Sequence, residues 1–357
     1  MYRAIQGVVK GVDTITAEGT MEYPKTREEW LALRHKHISS TEVAALFGLS
    51  PYATAFEVAV MKQAPTPDDR EIGDRAEWGL RLQRSIAGGI ADKYGVKVRA
   101  ISGYAVHSYE HCRMGASFDY EIVGLKDDWS GDDHTLRNMY SEHGAGVLEI
   151  KNVDLFVFRK DWQVGDDDSY EAPAHIELQV QHQLACIART WAAIGVLIGG
   201  NRLELLIRER DDEVNQAIAK KCEKFWSDLA KGVLPPIELP ADADIISKLY
   251  KYAEPGKVLD ANDSAEIAAL CAEYRAAADA AKAADDIKKS ARAKLLMQIG
   301  DHEQVLTKGF KISAGVVAAA EISYTREAYR NVRITAIKPP AEKSAKAKKA
   351  KAEGVEA

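Results

Sequence analysis

Cysteine is scarce and scattered. The 357 residues hold four, Cys112, Cys186, Cys222 and Cys271, with no CxxC pair. That spacing excludes a zinc ribbon, a thiol-ligated iron–sulfur centre and a disulfide framework, and leaves reduced core thiols. Long apolar runs are missing as well, since no stretch reaches the roughly 20 residues a membrane span requires. Residues Met1 to Gly19 lack the basic-then-apolar layout of a signal peptide, so a soluble cytoplasmic chain with no membrane partner is expected. There is no GxxxxGK loop, and Gly199-Gly200 does not make one, which excludes a P-loop ATP motor. Positive charge is not in excess: 48 Lys and Arg against 54 Asp and Glu give a formal net charge of -6. A protein that coats nucleic acid indiscriminately is thereby disfavoured, whereas an enzyme with one local basic channel is not.

What is present begins with helix-start signals. Thr26-x-x-Glu29, Ser39-x-x-Glu42 and Thr54-x-x-Glu57 are capping boxes, each predicting a short helix, and Gly48 is placed to end the second. A longer helix is expected over about Arg75–Tyr94, stopped at Gly95. The pattern then turns to strands, at Val96–Val106, Ser117–Val123 and Val147–Lys151. Between the last two lies a polar stretch, Lys126–Gly146, read as an exposed loop. Ala174–Trp191 has apolar residues at helical spacing, Leu203–Ile207 reads as a strand, and Asp211–Lys231 reads as a helix closed by Gly232, Pro235 and Pro236. Ser264–Leu296, Ala-rich and charged, predicts a long helix or helical hairpin, and Gly309–Ile334 predicts strands around a turn. The domains expected are an arm (1–24), a core (25–240), a helical-hairpin and β appendage (260–338) and a disordered Ala/Lys-rich tail (339–357).

The chemistry-bearing residues lie in the strand segment. Glu149 and Lys151 are two apart in Gly146-Val147-Leu148-Glu149-Ile150-Lys151 and so share one face of a strand. Burying a carboxylate and an ammonium there is costly unless they are paired or bound to a metal, and a salt-bridged edge strand is the plainer explanation. Upstream, Asp119 in Ser117-Phe118-Asp119-Tyr120-Glu121 approaches Glu149 if the two strands pair. Two adjacent carboxylates repel unless a cation lies between them, and hard oxygen ligands suit magnesium or manganese. His107, His111, His134 and His143 match no zinc spacing and read as surface histidines.

Asp119…Glu149-Ile150-Lys151 resembles the P-D…(D/E)-x-K nuclease motif, and its surroundings resemble the phage lambda exonuclease and YqaJ-like viral recombinase family. Trp30-x-x-Leu33-Arg34 followed by Ile38-Ser39-Ser40-Thr41-Glu42-Val43 is similar to that family's N-terminal block. Leu49-Ser50-Pro51-Tyr52, Trp78-Gly79, Gln179-Val180-Gln181-His182-Gln183, Phe225-Trp226 and Pro235-Pro236 follow in the family's order, so the likeness covers about Glu22 to Pro236.

The resemblance implies an α/β fold. Its restriction-endonuclease-like core is a central mixed sheet flanked by helices, followed by a C-terminal helical and β-hairpin appendage. It implies a metal-dependent 5′-to-3′ double-stranded DNA exonuclease of phage-type recombination, in the bacterial host cytoplasm. Such an enzyme leaves a 3′ overhang for a single-strand annealing recombinase and assembles as a homo-oligomeric ring. Carried over by residue, Asp119, Glu149 and the Ile150 carbonyl bind Mg2+ or Mn2+, Lys151 is the catalytic lysine, and Gln179 supports it. Arg34 and Thr41 bind the DNA 5′-phosphate, and Gln83 stands where the family offers a glutamate near the metal. Phe118 and Tyr120 also replace the family's proline and glycine around the aspartate. These departures keep open a catalytically weakened DNA-end-binding scaffold, and a RecB-like nuclease of other polarity is a separate alternative.

Overall fold

A computed structural model describes residues 19–67, 69, 73–164, 170–187, 189–321, 323, 330, 332 and 334. The expected tail, 339–357, and residues 1–18 of the expected arm lie outside them. Two compact units are distinguished, Met1–Ile246 and Ser247–Ala357.

In chain order the first unit contains β1 (Thr20–Glu22), α1 (Arg27–Lys36), β2 (Ile38–Ser39), α2 (Val43–Leu46), α3 (Ala55–Gln63), α4 (Asp74–Lys93), β3 (Val96–Ala100), β4 (Tyr104–Val106), β5 (Met114–Ser117) and β6 (Tyr120–Leu125). There follow α5 (Thr135–His143), β7 (Gly146–Val153), α6 (Leu155–Asp161), β8 (Gln163–Val164), β9 (Tyr170–Glu171), α7 (Ala174–Cys186), β10 (Trp191–Ile198), β11 (Arg202–Glu209) and α8 (Asp212–Ala230). A further helix, α9 (Ala243–Leu249), crosses the division.

The main sheet has the order β11-β10-β7-β6-β3. Only β7 and β10 run parallel, so a crossover must join them, and it carries α6 and α7. A smaller sheet, β1-β4-β5-β2, continues from the same chain at the β5–β6 joint. Helix α4 covers one face of the main sheet with Ile86, Ala87 and Ile90 against Leu148, Ile150 and Ala193. On the other face Val147, Ala192, Ile194 and Val196 pack with Leu178, Val180 and Leu184 of α7 and with Ile218 and Cys222 of α8. This is the mixed sheet flanked by helices that the sequence predicts.

The helices expected after the first and third boxes start as expected, with Glu29 N–H donating to the N-cap Thr26 Oγ1 (3.2 Å) and Glu57 N–H to the N-cap Thr54 Oγ1 (3.0 Å). The second does not. Ser39 sits in a strand, and the helix after it has only four residues, Val43–Leu46, with no side-chain cap. The predicted helix Ala174–Trp191 ends at Cys186, and Trp191–Ile198 is instead the strand β10. All of its residues but Leu197 are buried, and periodicity alone does not separate a short buried strand from a helix. The expected loop Lys126–Gly146 contains α5, whose Leu136 is fully buried beneath a polar outer face. His107, read as a surface histidine, is buried, its Nδ1 accepting from Tyr109 N–H (3.0 Å). Burial and the charge of Arg210 hold its pKa down at about 4. Cys112, Cys186 and Cys222 are buried free thiols, and Cys271 is half-buried.

The second unit holds one 35-residue helix, α10 (Ala265–Ile299), capped by Ser264 Oγ accepting from Ile267 N–H (3.3 Å). The helical-hairpin alternative is corrected by this, as the segment has no glycine or proline to turn the chain. A β-hairpin, β12 (Gln304–Thr307) with β13 (Phe310–Ser313), follows it and precedes most of the predicted Gly309–Ile334 stretch. Among the described residues no helix is long and apolar enough to cross a membrane.

Candidate active site

Alternation along β7 decides where its charged side chains go. Val147, Glu149 and Lys151 share the face under α7, while Leu148 and Ile150 face α4. Glu149 is only 3% exposed. A bare carboxylate at that depth is strongly disfavoured, and both its oxygens are bonded. Its Oε1 accepts from Lys151 Nζ (2.6 Å) and Gln179 Nε2 (2.6 Å), and its Oε2 accepts from Gln183 Nε2 (2.7 Å). Lys151 Nζ donates in addition to Gln179 Oε1 (3.0 Å). Gln179 and Gln183, one helical turn apart on α7, reach the same carboxylate.

Asp119 lies at the joint between β5 and β6, where the chain leaves one sheet for the other. Strand β6 pairs antiparallel with β7 up to Tyr120↔Leu148, and the next step of that register sets Asp119 opposite Glu149. Beyond that pair, the Asp119 carboxylate takes over the edge of β7. Its Oδ2 accepts from Ile150 N–H (2.8 Å), and its Oδ1 from Gln83 Nε2 of α4 (2.7 Å). In extended backbone a residue's N–H and C=O leave by the same edge, so the Ile150 carbonyl faces this corner too.

Burial, and next the negative charge of Glu149, raise the Asp119 pKa from 3.8 to about 7. The Ile150 N–H, Lys151 and Gln83 pull it back only in part. A divalent cation would offset the second of these causes, the repulsion, because it neutralises both carboxylates at once. Among the described residues no three His, Cys, Asp or Glu side chains form a metal-binding group. The donor set is therefore two carboxylates with neutral carbonyl and amide oxygens. It is all oxygen, and it fits Mg2+ or Mn2+ far better than a soft metal.

Gln83→Glu is expected to lower the Mg2+ concentration needed for half-maximal effect by severalfold. The added carboxylate sits beside Asp119, so it repels without an ion and attracts one when present. The ion-free melting temperature should fall and the ion-dependent rise should grow. Superimposable Mg2+ titrations of the two proteins would remove Gln83 from the metal corner.

A second cluster gathers around Arg34. Its Nη2 lies 3.3 Å from Ser39 Oγ and 3.4 Å from Thr41 Oγ1, and its guanidinium stacks 4.8 Å over the Trp30 ring. The Thr41 hydroxyl was expected at a helix start. The helix nearby is too short to offer a dipole, so the corner is a guanidinium with two hydroxyls. Sequence reasoning missed its support. Lys62 Nζ, nearly fully buried, donates to the Arg34 carbonyl (2.7 Å) and to both oxygens of Glu42 (3.0 and 2.8 Å). Glu42 in turn accepts from Ser39 N–H (2.8 Å) and Ser39 Oγ (2.9 Å). Burial pushes the Glu42 carboxyl up, but Lys62 and Arg34 overcome it and hold it below the usual carboxylate range. Glu42 takes these hydrogen bonds from Lys62 and Ser39, and Arg34 Nη2 meets the two neutral hydroxyls of Ser39 and Thr41.

The two clusters are joined. Trp30 Nε1 donates to Ser117 Oγ (2.9 Å), and the Ser117 carbonyl accepts from Gln183 Nε2 (3.1 Å). A short bonded path thus runs from Arg34 through Trp30, Ser117 and Gln183 to Glu149.

Residues 29–190 match the family model of the YqaJ-like viral recombinase domain. That stretch of the chain is similar to the domain the family model describes. Every side chain of both clusters, from Trp30 to Gln183, lies inside the YqaJ-like span. The Bacillus subtilis (strain 168) protein YqaJ, itself described as uncharacterized, is 28% identical over 239 residues, which are 66% of this chain and 67% of that one. Among solved structures, the alkaline exonuclease LHK-Exo of Laribacter hongkongensis overlaps 57% of this chain and 93% of its own, at 19% identity and a TM-score of 0.40. The same exonuclease in complex with dAMP gives 18% identity and a TM-score of 0.41 over the same shares.

Proposed function

We propose that the YqaJ-like domain is a metal-dependent double-stranded DNA exonuclease that digests from the 5′ end and leaves a 3′ single-stranded overhang. The observation that carries this reading is the buried Asp119–Glu149–Lys151 corner, with two carboxylates that need a cation and an ammonium beside them. Mg2+ or Mn2+, held by Asp119, Glu149 and the Ile150 carbonyl, would supply Lewis-acid activation for attack on a phosphodiester. Lys151 balances negative charge building on the phosphate oxygens, and Gln179 fixes the direction of its ammonium. Arg34, Ser39 and Thr41 hold the terminal phosphate, so the scissile bond is presented at a set distance from the carboxylates. The 3′ strand would pass to a single-strand annealing protein, and copies of the chain would ring the duplex; the family resemblance supports both. Gln83, neutral where a third carboxylate is expected, favours one competing reading, an end-binding scaffold with weak chemistry.

Two substrates test the proposal together. Linear duplex with 5′-phosphate ends should be digested in Mg2+, and covalently closed circles should survive, since they offer Arg34 no end. Arg34→Ala is expected to slow digestion of 5′-phosphorylated ends at least tenfold more than of 5′-hydroxyl ends, because a charge-assisted contact to a dianion is lost. Cleavage of closed circles would contradict the exonuclease reading, and equal slowing of both linear substrates would return Arg34 to a surface role.

A further inference from the structure

Gln183 is 1% exposed, yet its Oε1 has no hydrogen-bond partner. Turning the amide over does not help. Its Nε2 faces two acceptors, Glu149 Oε2 (2.7 Å) and the Ser117 carbonyl (3.1 Å), and exchanging the two atoms would set oxygen against both. The orientation is therefore fixed by its neighbours, and the carbonyl oxygen is left over. A buried acceptor without a donor is costly, and such groups are kept where something else completes them. The Nε2 of the same amide is bonded to Glu149 Oε2, the one oxygen of that carboxylate not bonded to Lys151 or Gln179.

We infer that Gln183 is a positioning residue for the bound cation: its amide nitrogen fixes Glu149 Oε2, and its unpartnered Oε1 accepts from water of the ion's hydration shell. The inference rests on the metal reading of Asp119 and Glu149. It explains why one glutamine donates to both Glu149 and the backbone of Ser117. Those contacts hold the carboxylate in one rotation. It also makes Gln183 distinct from Gln179, whose oxygen is already committed to Lys151. Divalent ions that keep several waters are sensitive to the acceptors around those waters, so loss of Gln183 acts on ion affinity.

The test is calorimetric titration of Mn2+ alone into the full chain, without DNA. Wild type should show one saturable site, lost in Asp119→Asn. Gln183→Met, similar in length but without donor or acceptor, should weaken Mn2+ binding about tenfold or more. It should also shrink the Mn2+-dependent rise in melting temperature, a readout that a purely packing role would leave intact. Gln183→Asn, too short to reach Glu149, should weaken Mn2+ to a similar extent and serves if the Met variant does not fold. Wild-type binding with unchanged affinity in the variants overturns the role of Gln183 alone. A wild type that binds no Mn2+ overturns the metal reading and this inference with it.

Discussion

Lys151→Ala is expected to reduce the rate of DNA digestion by about a hundredfold to a thousandfold, the range seen when one group stabilising a developing oxyanion is removed. Affinity for duplex ends should change little, because the ammonium acts mainly where charge accumulates in the transition state. The structure adds a discriminating readout. Lys151 is a cation bonded to a metal-ligand candidate, Glu149, at 2.6 Å. Removing it leaves Glu149 with its two glutamine donors, Gln179 and Gln183. Mn2+ affinity should therefore hold or tighten while the rate collapses. Loss of rate together with loss of metal binding would mean that Lys151 only holds the carboxylate in place. A rate within tenfold of wild type would remove it from the chemistry.

Asp119 gives the second large effect, seen in stability. Its folded-state pKa, about 7, lies above the 3.8 of the free carboxyl. Between those values the folded chain holds a proton that the unfolded chain releases, so stability from this group is present at low pH and is lost as pH rises toward 7. Without divalent ions, thermal stability should fall over this window, against the usual trend for paired carboxylates, and Asp119→Asn should flatten the fall. Adding Mg2+ at pH 7.5 to 8 should restore what was lost in wild type and do nothing in Asp119→Asn. Chelation should be felt most at that pH and least near pH 5, where the proton already occupies the carboxylate. An ion-free stability that rises steadily from pH 4 to 7 in wild type, matched by the variant, would show that Asp119 is ionised throughout.

These residues were legible in the sequence to different degrees, for physical reasons. The two-residue spacing of Glu149 and Lys151 suffices to put them on one face, because strand periodicity is local. Asp119 needed a second strand, and its edge contact with Ile150 N–H lies 31 residues away. Gln183 follows Gln179 by one helical turn, and that spacing alone could have marked it. Lys62 carries no such mark. It reads as a charged residue in a short helix until folding brings it to Arg34 and Glu42, 28 and 20 residues away. The capping boxes were reliable at Thr26 and Thr54, where a helix long enough to need a cap follows. They misled at Ser39, where Glu42 bonds back as a box would, but the serine belongs to a strand. The helix expected over Ala174–Trp191 ends at Cys186, and the strand Trp191–Ile198 carried no signal because a strand buried on both faces has no alternation to read.

On the proposed reading, a buried two-carboxylate corner makes this chain a metal-dependent nuclease acting from DNA ends. Linear duplex labelled separately at the 5′ and the 3′ end, incubated with the full chain and titrated with Mg2+, tests it most directly. The account predicts early release of the 5′ label as small products, progressive loss of one strand, retention of the 3′ label on a long single strand, and no reaction in EDTA or with Asp119→Asn. Early release of the 3′ label would reverse the polarity, and intact duplex at every Mg2+ and Mn2+ concentration would contradict the account.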